Sequence, residues 1–265
     1  MTDYTISPPA SEILARAAPP LFSLLDRTGD GDALILGGGT ALAARWGNHR
    51  RSTDVDLCLP RDVFDRHADK IPELLTANFI DAVRFIPAVN PGINGRFREG
   101  EFSIATAPPL LPDIIPSEND ADRDALWGIR LEPTAEVLAK KLFFRMGARR
   151  KFVSRDLYDI LTAAEEDPDA LQRALSTLDP AIRHSLVETV SRLGAEAAKL
   201  GRALTDVHRP EWLNDLGNRA SQLIAEGAGP TPVMPEPQPR FKPEPPKTND
   251  NDDLLDWQKT PTPFD

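Results

Sequence analysis

Asp54 and Asp56 stand two residues apart in the run Ser52-Thr53-Asp54-Val55-Asp56-Leu57-Cys58-Leu59. Residues two apart on a strand point to the same face, so the carboxylates project together while Val55, Leu57 and Leu59 face a core. Two carboxylates held side by side repel each other unless a cation sits between them. A hard divalent ion, Mg²⁺ or Mn²⁺, takes one or two such carboxylates and completes its shell with substrate phosphates. A little upstream, Ala33-Leu34-Ile35-Leu36 runs into Gly37-Gly38-Gly39-Thr40 and then the helix-forming Ala41-Leu42-Ala43-Ala44. Glycine lets backbone approach a phosphate, and a helix start offers free N–H groups and the positive end of a dipole. No Gly-Lys-Ser/Thr follows, which excludes a Walker loop, and a dinucleotide fingerprint would need glycine at Leu42. The chemistry indicated is phosphate chemistry beside a metal.

The elements that must position these residues can be read from the apolar pattern. Short apolar runs at 33–36, 55–59, 82–89, 102–105 and 128–131, punctuated by Gly, Pro and Asn, predict strands. Helices are predicted over 40–46 and 62–75, and over 11–25 with a break or bend at Pro19-Pro20. From 132 to 226 the pattern is helical throughout. Ile182, Leu186, Val190, Leu193, Ala197 and Leu200 mark one continuous buried face. The fold class expected is α+β: a mixed sheet with helices over 1–131, a helical bundle over 132–228, and a disordered, Pro-rich acidic tail over 229–265. Ten of the 26 prolines fall in residues 230–265, where few large aliphatics are available to offset the entropy of ordering.

Composition narrows the classes. The chain has 265 residues with 31 Lys+Arg against 41 Asp+Glu, a net charge of −10, which argues against a general nucleic-acid coat protein. One cysteine excludes a disulfide framework and a cysteine-based zinc site. No apolar run approaches the ~20 residues that span a bilayer, and no secretion signal opens the sequence, so a cytoplasmic location is expected. Charge is nevertheless unevenly spread. Lys140, Lys141, Arg145, Arg149, Arg150, Lys151 and Arg155 put seven positive charges between 140 and 155 with no acid among them. Such a run cannot relieve itself through i,i+4 pairs, and a phosphate-binding patch is the reading favoured, extended by Arg45, His49, Arg50 and Arg51. His49 is read as a polar loop residue, Asp159 as an orienting acid, Tyr158 and Trp46 as packing residues, and Cys58 as a buried small side chain.

Gly38-Gly39-Thr40-Ala41-Leu42-Ala43, followed by His49-Arg50-Arg51-Ser52-Thr53-Asp54-Val55-Asp56-Leu57, resembles the nucleotidyltransferase core of the AbiEii toxin family, within the DNA polymerase β-like superfamily. Glu132-Pro133, Ala139-Lys140-Lys141-Leu142 and Arg155-Asp156-Leu157-Tyr158-Asp159-Ile160 resemble that family's lysine helix and its following Asp-x-x-Asp-Leu helix. The resemblance implies a nucleotidyltransferase fold, Asp54 and Asp56 as metal ligands, Lys141 as a triphosphate contact and Asp156 as a further active-site acid. It also implies a bacterial toxin–antitoxin pair, with a nucleoside triphosphate as substrate, an antitoxin as partner and an RNA acceptor, the tRNA 3′ end in particular. Gly38, Gly39, Thr40, Arg51, Ser52, Lys141 and Arg145 are the expected nucleotide-binding residues.

The superfamily places a third acid on a later strand, where this sequence has Ser103 within Phe102-Ser103-Ile104. Glu101 is read as pointing to the opposite face. That departure leaves two other readings: a non-catalytic nucleotide- or RNA-binding module on a decayed transferase fold, and a transferase acting on a small-molecule or protein hydroxyl.

Overall fold

In the computed structural model, residues 4–79, 82–86, 91–96, 100–106, 108–111, 126 and 129–227 are described. The chain opens with α1 (Ala10–Asp26), which buries Ile13, Leu14, Ala17, Ala18, Leu21 and Leu25 along one face. Pro19 and Pro20 lie inside it without ending it. The carbonyls they leave without a helical donor belong to Ala15 and Arg16, both exposed residues. The expected break is therefore absent.

Among the described residues, six strands form one mixed sheet in the order β3-β4-β5-β2-β1-β6. They are β1 (Ile35–Gly37), β2 (Asp54–Cys58), β3 (Ala82–Ile86), β4 (Gly92–Arg96), β5 (Glu101–Ala105) and β6 (Arg130–Leu131). β2 sits centrally, antiparallel to β1 and parallel to β5. Its side chains alternate as expected, with Val55 and Leu57 fully buried and Asp54 and Asp56 half-buried on the other face. β4 is a strand that the Gly and Asn of its sequence, Gly-Ile-Asn-Gly-Arg, concealed. It is held by ladders to β3 and β5 on both sides, so pairing overrides low propensity.

Helix α2 (Gly38–Arg45) begins within the glycine triplet itself. The predicted 62–75 helix is two helices, α3 (Arg61–His67) and α4 (Lys70–Phe79). Beyond β6 come α5 (Thr134–Lys140), a π-helical segment over Lys141–Ala148, α6 (Ser154–Glu166), α7 (Pro168–Leu175), α8 (Pro180–Leu193) and α9 (Leu216–Glu226). Asp167 and Asp179 cap α7 and α8, accepting from the N–H groups of Ala170 and Ala181, each with proline at the first helical position. The continuous face expected from Ile182 to Leu200 is interrupted, since Gly194 ends α8 at φ +46° and a 3₁₀ helix follows over Gly194–Lys199.

Buried apolar residues fall into two clusters. One lies between the sheet and α1, α3 and α4; the other is formed by the C-terminal helices together with Leu42 and Trp46 at the end of α2. The proposed tail, 229–265, lies outside the described residues. Among those described, no helix is long and apolar enough to cross a membrane.

At the crossing of α8 and α9 the backbones approach closely. A Cβ on Gly217 would lie 2.6 Å from the Gly194 carbonyl oxygen and 2.7 Å from that of Val190. Alanine is the better helix former by about 1 kcal/mol, but forcing a methyl group against backbone costs about 1–3 kcal/mol. Gly217→Ala is therefore expected to be destabilising in urea unfolding. An unchanged or raised midpoint would show that the two helices can separate freely.

Candidate active site

The acid pair is fixed by β2 and read out by its neighbours. Register places Asp56 opposite Ser103 and Asp54 opposite Glu101 on parallel β5. The Ser103 hydroxyl donates to Asp56 Oδ1 at 2.7 Å, so serine does occupy the position where an acid was expected. Glu101, two residues from Ser103, faces the same side, because strand alternation repeats every second residue; the expectation that it pointed away was wrong.

Asp54 carries two guanidinium groups. Arg155 Nη1 reaches its Oδ2 at 3.1 Å and Arg202 Nη1 its Oδ1 at 2.7 Å. Burial pushes the Asp54 carboxyl up, but the two arginines outweigh it and hold the group below the usual carboxylate range.

The glycines admit charged groups where a side chain could not fit. Gly38, at φ +63°, has Asp56 Oδ2 where its Cβ would stand, and Gly39 has Arg50 Nη2 in the same position. The Gly38 N–H donates to Glu132, a buried carboxylate also bound by Lys140. Burial raises the Glu132 carboxyl despite that lysine. Thr40 is fully buried, donating to the Asp54 carbonyl and sharing a 2.7 Å hydrogen bond with Ser52. It braces β2 against α2.

Behind the acid pair lies a buried ionic network. Asp156 and Asp159, three residues apart on one face of α6, receive the basic side chains of two other segments. Arg50 Nε and Nη2 grip Asp159 at 2.6 and 2.8 Å, while Lys141 Nζ bridges Asp156 at 2.6 Å and Asp159 at 3.1 Å. Arg145 Nη1 adds a 2.9 Å contact to Asp156. His49 sits in the loop between α2 and β2, as expected, but is buried here, its Nε2 2.8 Å from Asp159 and its ring between Trp46 and Tyr158. Burial lowers its pKa against the pull of Asp159. Burial also opposes ionisation of Asp156 and Asp159, but Lys141 with Arg145, and Arg50 with Lys141, win and hold both carboxyls low.

Carboxyls depressed in the folded state favour folding above the ordinary value near 3.9, and that stability drains away as pH falls through the lower folded values. Thermal stability is therefore expected to fall below about pH 4, and Asp159→Asn to flatten that fall. Calorimetry across the acid range checks this, and an equally steep fall in the variant would contradict it.

Two hollows meet at Asp56 and Ser103. One, of about 540 Å³, is lined by Asp54, Asp56, Arg96, Arg145, Arg149, Lys151 and Arg155 among others. The other, of about 500 Å³, is bordered by Gly38, Cys58, Lys140, Lys141, Phe144 and Arg145. A pit of about 40 Å³ behind them touches Gly39, Ser52, Lys141 and Asp156. Of the expected nucleotide-binding residues, two border none of the three: Thr40, which is fully buried, and Arg51, which is exposed and 3.9 Å from Asp206. Burial pushes the Cys58 thiol up to about 12, which keeps it protonated. The basic run divides by partner. Lys140, Lys141, Arg145 and Arg155 are paired with acids from other segments, whereas Arg149 and Lys151 stand exposed on the cleft wall with no carboxylate partner among the described residues.

The donor set at the acid pair, two carboxylates and a hydroxyl opening on a cleft, fits a hard divalent cation completed by phosphate oxygens. Among the described residues no group of three or more His, Cys, Asp or Glu side chains is arranged to hold a metal ion.

A crystal structure of a candidate nucleotidyltransferase from H. pylori matches the fold with a TM-score of 0.50 at 17% identity, over 83% of this chain and 96% of that one. JHP933 from Helicobacter pylori matches with a TM-score of 0.48 at 17% identity, over 84% of this chain and 94% of that one. No curated protein matches the chain. The first likeness defines the architecture as a nucleotidyltransferase fold. The profile of the nucleotidyl transferase AbiEii toxin family, of type IV toxin–antitoxin systems, matches residues 21–227, and the chain belongs to that family.

Proposed function

We propose that this protein is a metal-dependent nucleotidyltransferase that moves a nucleotide from a nucleoside triphosphate to an RNA hydroxyl, the tRNA 3′ end in particular. The observation that carries the reading is the Asp54–Asp56 pair on β2, half-buried at the meeting of two hollows with a basic wall. In the transfer, the acceptor oxygen bonds to the α-phosphorus as the bond to the pyrophosphate oxygen breaks, and the hydroxyl proton leaves to water. A bound Mg²⁺ or Mn²⁺ would supply charge neutralisation at the attacking and leaving oxygens. Asp54 and Asp56 would hold it. Gly38, Lys141 and Arg145 border the second hollow, which suits the triphosphate, and Phe144 offers its nucleobase an apolar wall. Arg149 and Lys151 on the wall of the first hollow suit the backbone of an RNA end. Membership of a toxin–antitoxin family supports an antitoxin as protein partner, and a cytoplasmic location follows from such an acceptor.

Labelled nucleoside triphosphates, Mg²⁺ and total tRNA test the reading together. Label appearing in tRNA is expected. Label in a small molecule or protein instead would move the acceptor to another hydroxyl class. Ser103, in place of an acid, favours the second reading, a binding module without turnover; nucleotide binding that persists without metal, and with no transfer to any acceptor, would establish it.

A further inference from the structure

Arg202 has no role in the reading above, yet it makes a shorter ion pair with Asp54 than Arg155 does. Its Nη1 lies 2.7 Å from Asp54 Oδ1 and 3.2 Å from Thr53 Oγ1, and its Nη2 lies 3.2 Å from Glu101 Oε1. The side chain is 50% exposed. It comes from a segment pinned on both sides. The Leu200 carbonyl accepts from Ser154 N–H at 2.9 Å, the Thr205 carbonyl from Arg51 N–H at 3.1 Å, and His208 N–H donates to the His49 carbonyl at 2.9 Å. Arg202 is thus delivered to Asp54 by a backbone held on both sides, with half of its long side chain in solvent.

With Arg155 on Oδ2 and Arg202 on Oδ1, both Asp54 oxygens are engaged by positive charge. A divalent cation at the same carboxylate meets both the loss of those lone pairs and the repulsion of two guanidinium groups. Phosphate oxygens entering the cleft change the balance. A guanidinium pairs with phosphate at least as well as with carboxylate, through the same parallel N–H geometry.

We infer that Arg202 is a substrate-binding residue that rests on Asp54 in the free protein and passes to the polyphosphate of the nucleotide. The inference rests on the nucleotidyltransferase reading of this site. Its consequence is coupling: cation alone binds poorly because Arg202 holds its ligand, and cation with nucleotide binds well because the phosphates take Arg202 away.

The test uses the full chain, Mn²⁺ alone followed by paramagnetic resonance, and calorimetric titration with non-hydrolysable α,β-methylene analogues of the four ribonucleoside triphosphates in Mg²⁺. Arg202→Ala is expected to bind Mn²⁺ alone about tenfold more tightly and the analogue about tenfold more weakly, each near 1.4 kcal/mol for one charge-assisted contact. Arg202→Lys, which keeps the charge, is expected to restore both in part, and a melting curve confirms that the variants fold. Opposite shifts in the two affinities are the signature, since a merely structural arginine would weaken both or neither. If wild type binds cation and analogue but Arg202→Ala shifts both the same way, or shifts neither, the Arg202 inference is overturned and the enzyme reading stands. If wild type binds no analogue with any cation, the enzyme reading fails and the inference falls with it.

Discussion

Asp56→Asn lowers nucleotidyl transfer by about two to three orders of magnitude while leaving the melting temperature close to that of the wild type. The substitution keeps the shape of the side chain and the oxygen that accepts from Ser103, so the contact between β2 and β5 survives. What it removes is the negative charge needed to hold a cation where charge develops on the transferred phosphoryl group. Asp56 is chosen over Asp54 because Asp54 also anchors Arg155 and Arg202, so its loss disturbs two further side chains. Steady-state transfer of labelled nucleotide measures the effect. A variant retaining more than about a tenth of wild-type activity would remove Asp56 from the machinery, because loss of a single electrostatic partner at a reacting centre costs far more than that.

Asp159→Ala acts on the other side of the site, and through stability. Asp159 is fully buried and takes Nε and Nη2 of an Arg50 side chain that is itself 2% exposed, along with Lys141 and His49. Removing one partner of a buried ion network strands the other charges without solvent, a loss of about 3–5 kcal/mol. For a chain of this size that corresponds to a melting temperature lower by about 10 °C or more. Differential scanning calorimetry or urea unfolding measures it. A loss below about 1 kcal/mol would mean that water or Asp156 readily replaces Asp159 and that the network is not what joins α6 to the loop before β2.

β2 was legible because one pattern served two purposes. Its alternation states both which side chains enter the core and which carry the chemistry. Asp156 was legible only through the family resemblance and Asp159 only as an orienting acid, and burial of the whole network, with His49 inside it, has no local signal. β4 was hidden because Gly92 and Gly95 read as turn residues, yet a Cβ on Gly92 would lie 2.6 Å from the Ile104 carbonyl oxygen, so close strand approach is what requires glycine there. Glu101 lies two residues from Ser103 on β5, so strand alternation puts it on the same face, against the expectation. The basic run from 140 to 155 could be recognised as unusual, but not divided. Which cations are neutralised depends on Glu132, Asp156, Asp159 and Asp54, brought together only by the fold. Arg202 lies 148 residues from Asp54 in a segment with no motif, and only tertiary structure reveals it.

The reading as an RNA-directed nucleotidyltransferase is tested most directly by one measurement: transfer of label from each of the four α-labelled nucleoside triphosphates to total tRNA in Mg²⁺, with wild type and Asp56→Asn side by side. The expected result is label in tRNA from wild type, abolished by chelation of the metal and reduced about a hundredfold or more in the variant. Label transferred equally by both proteins, or by neither, would contradict it.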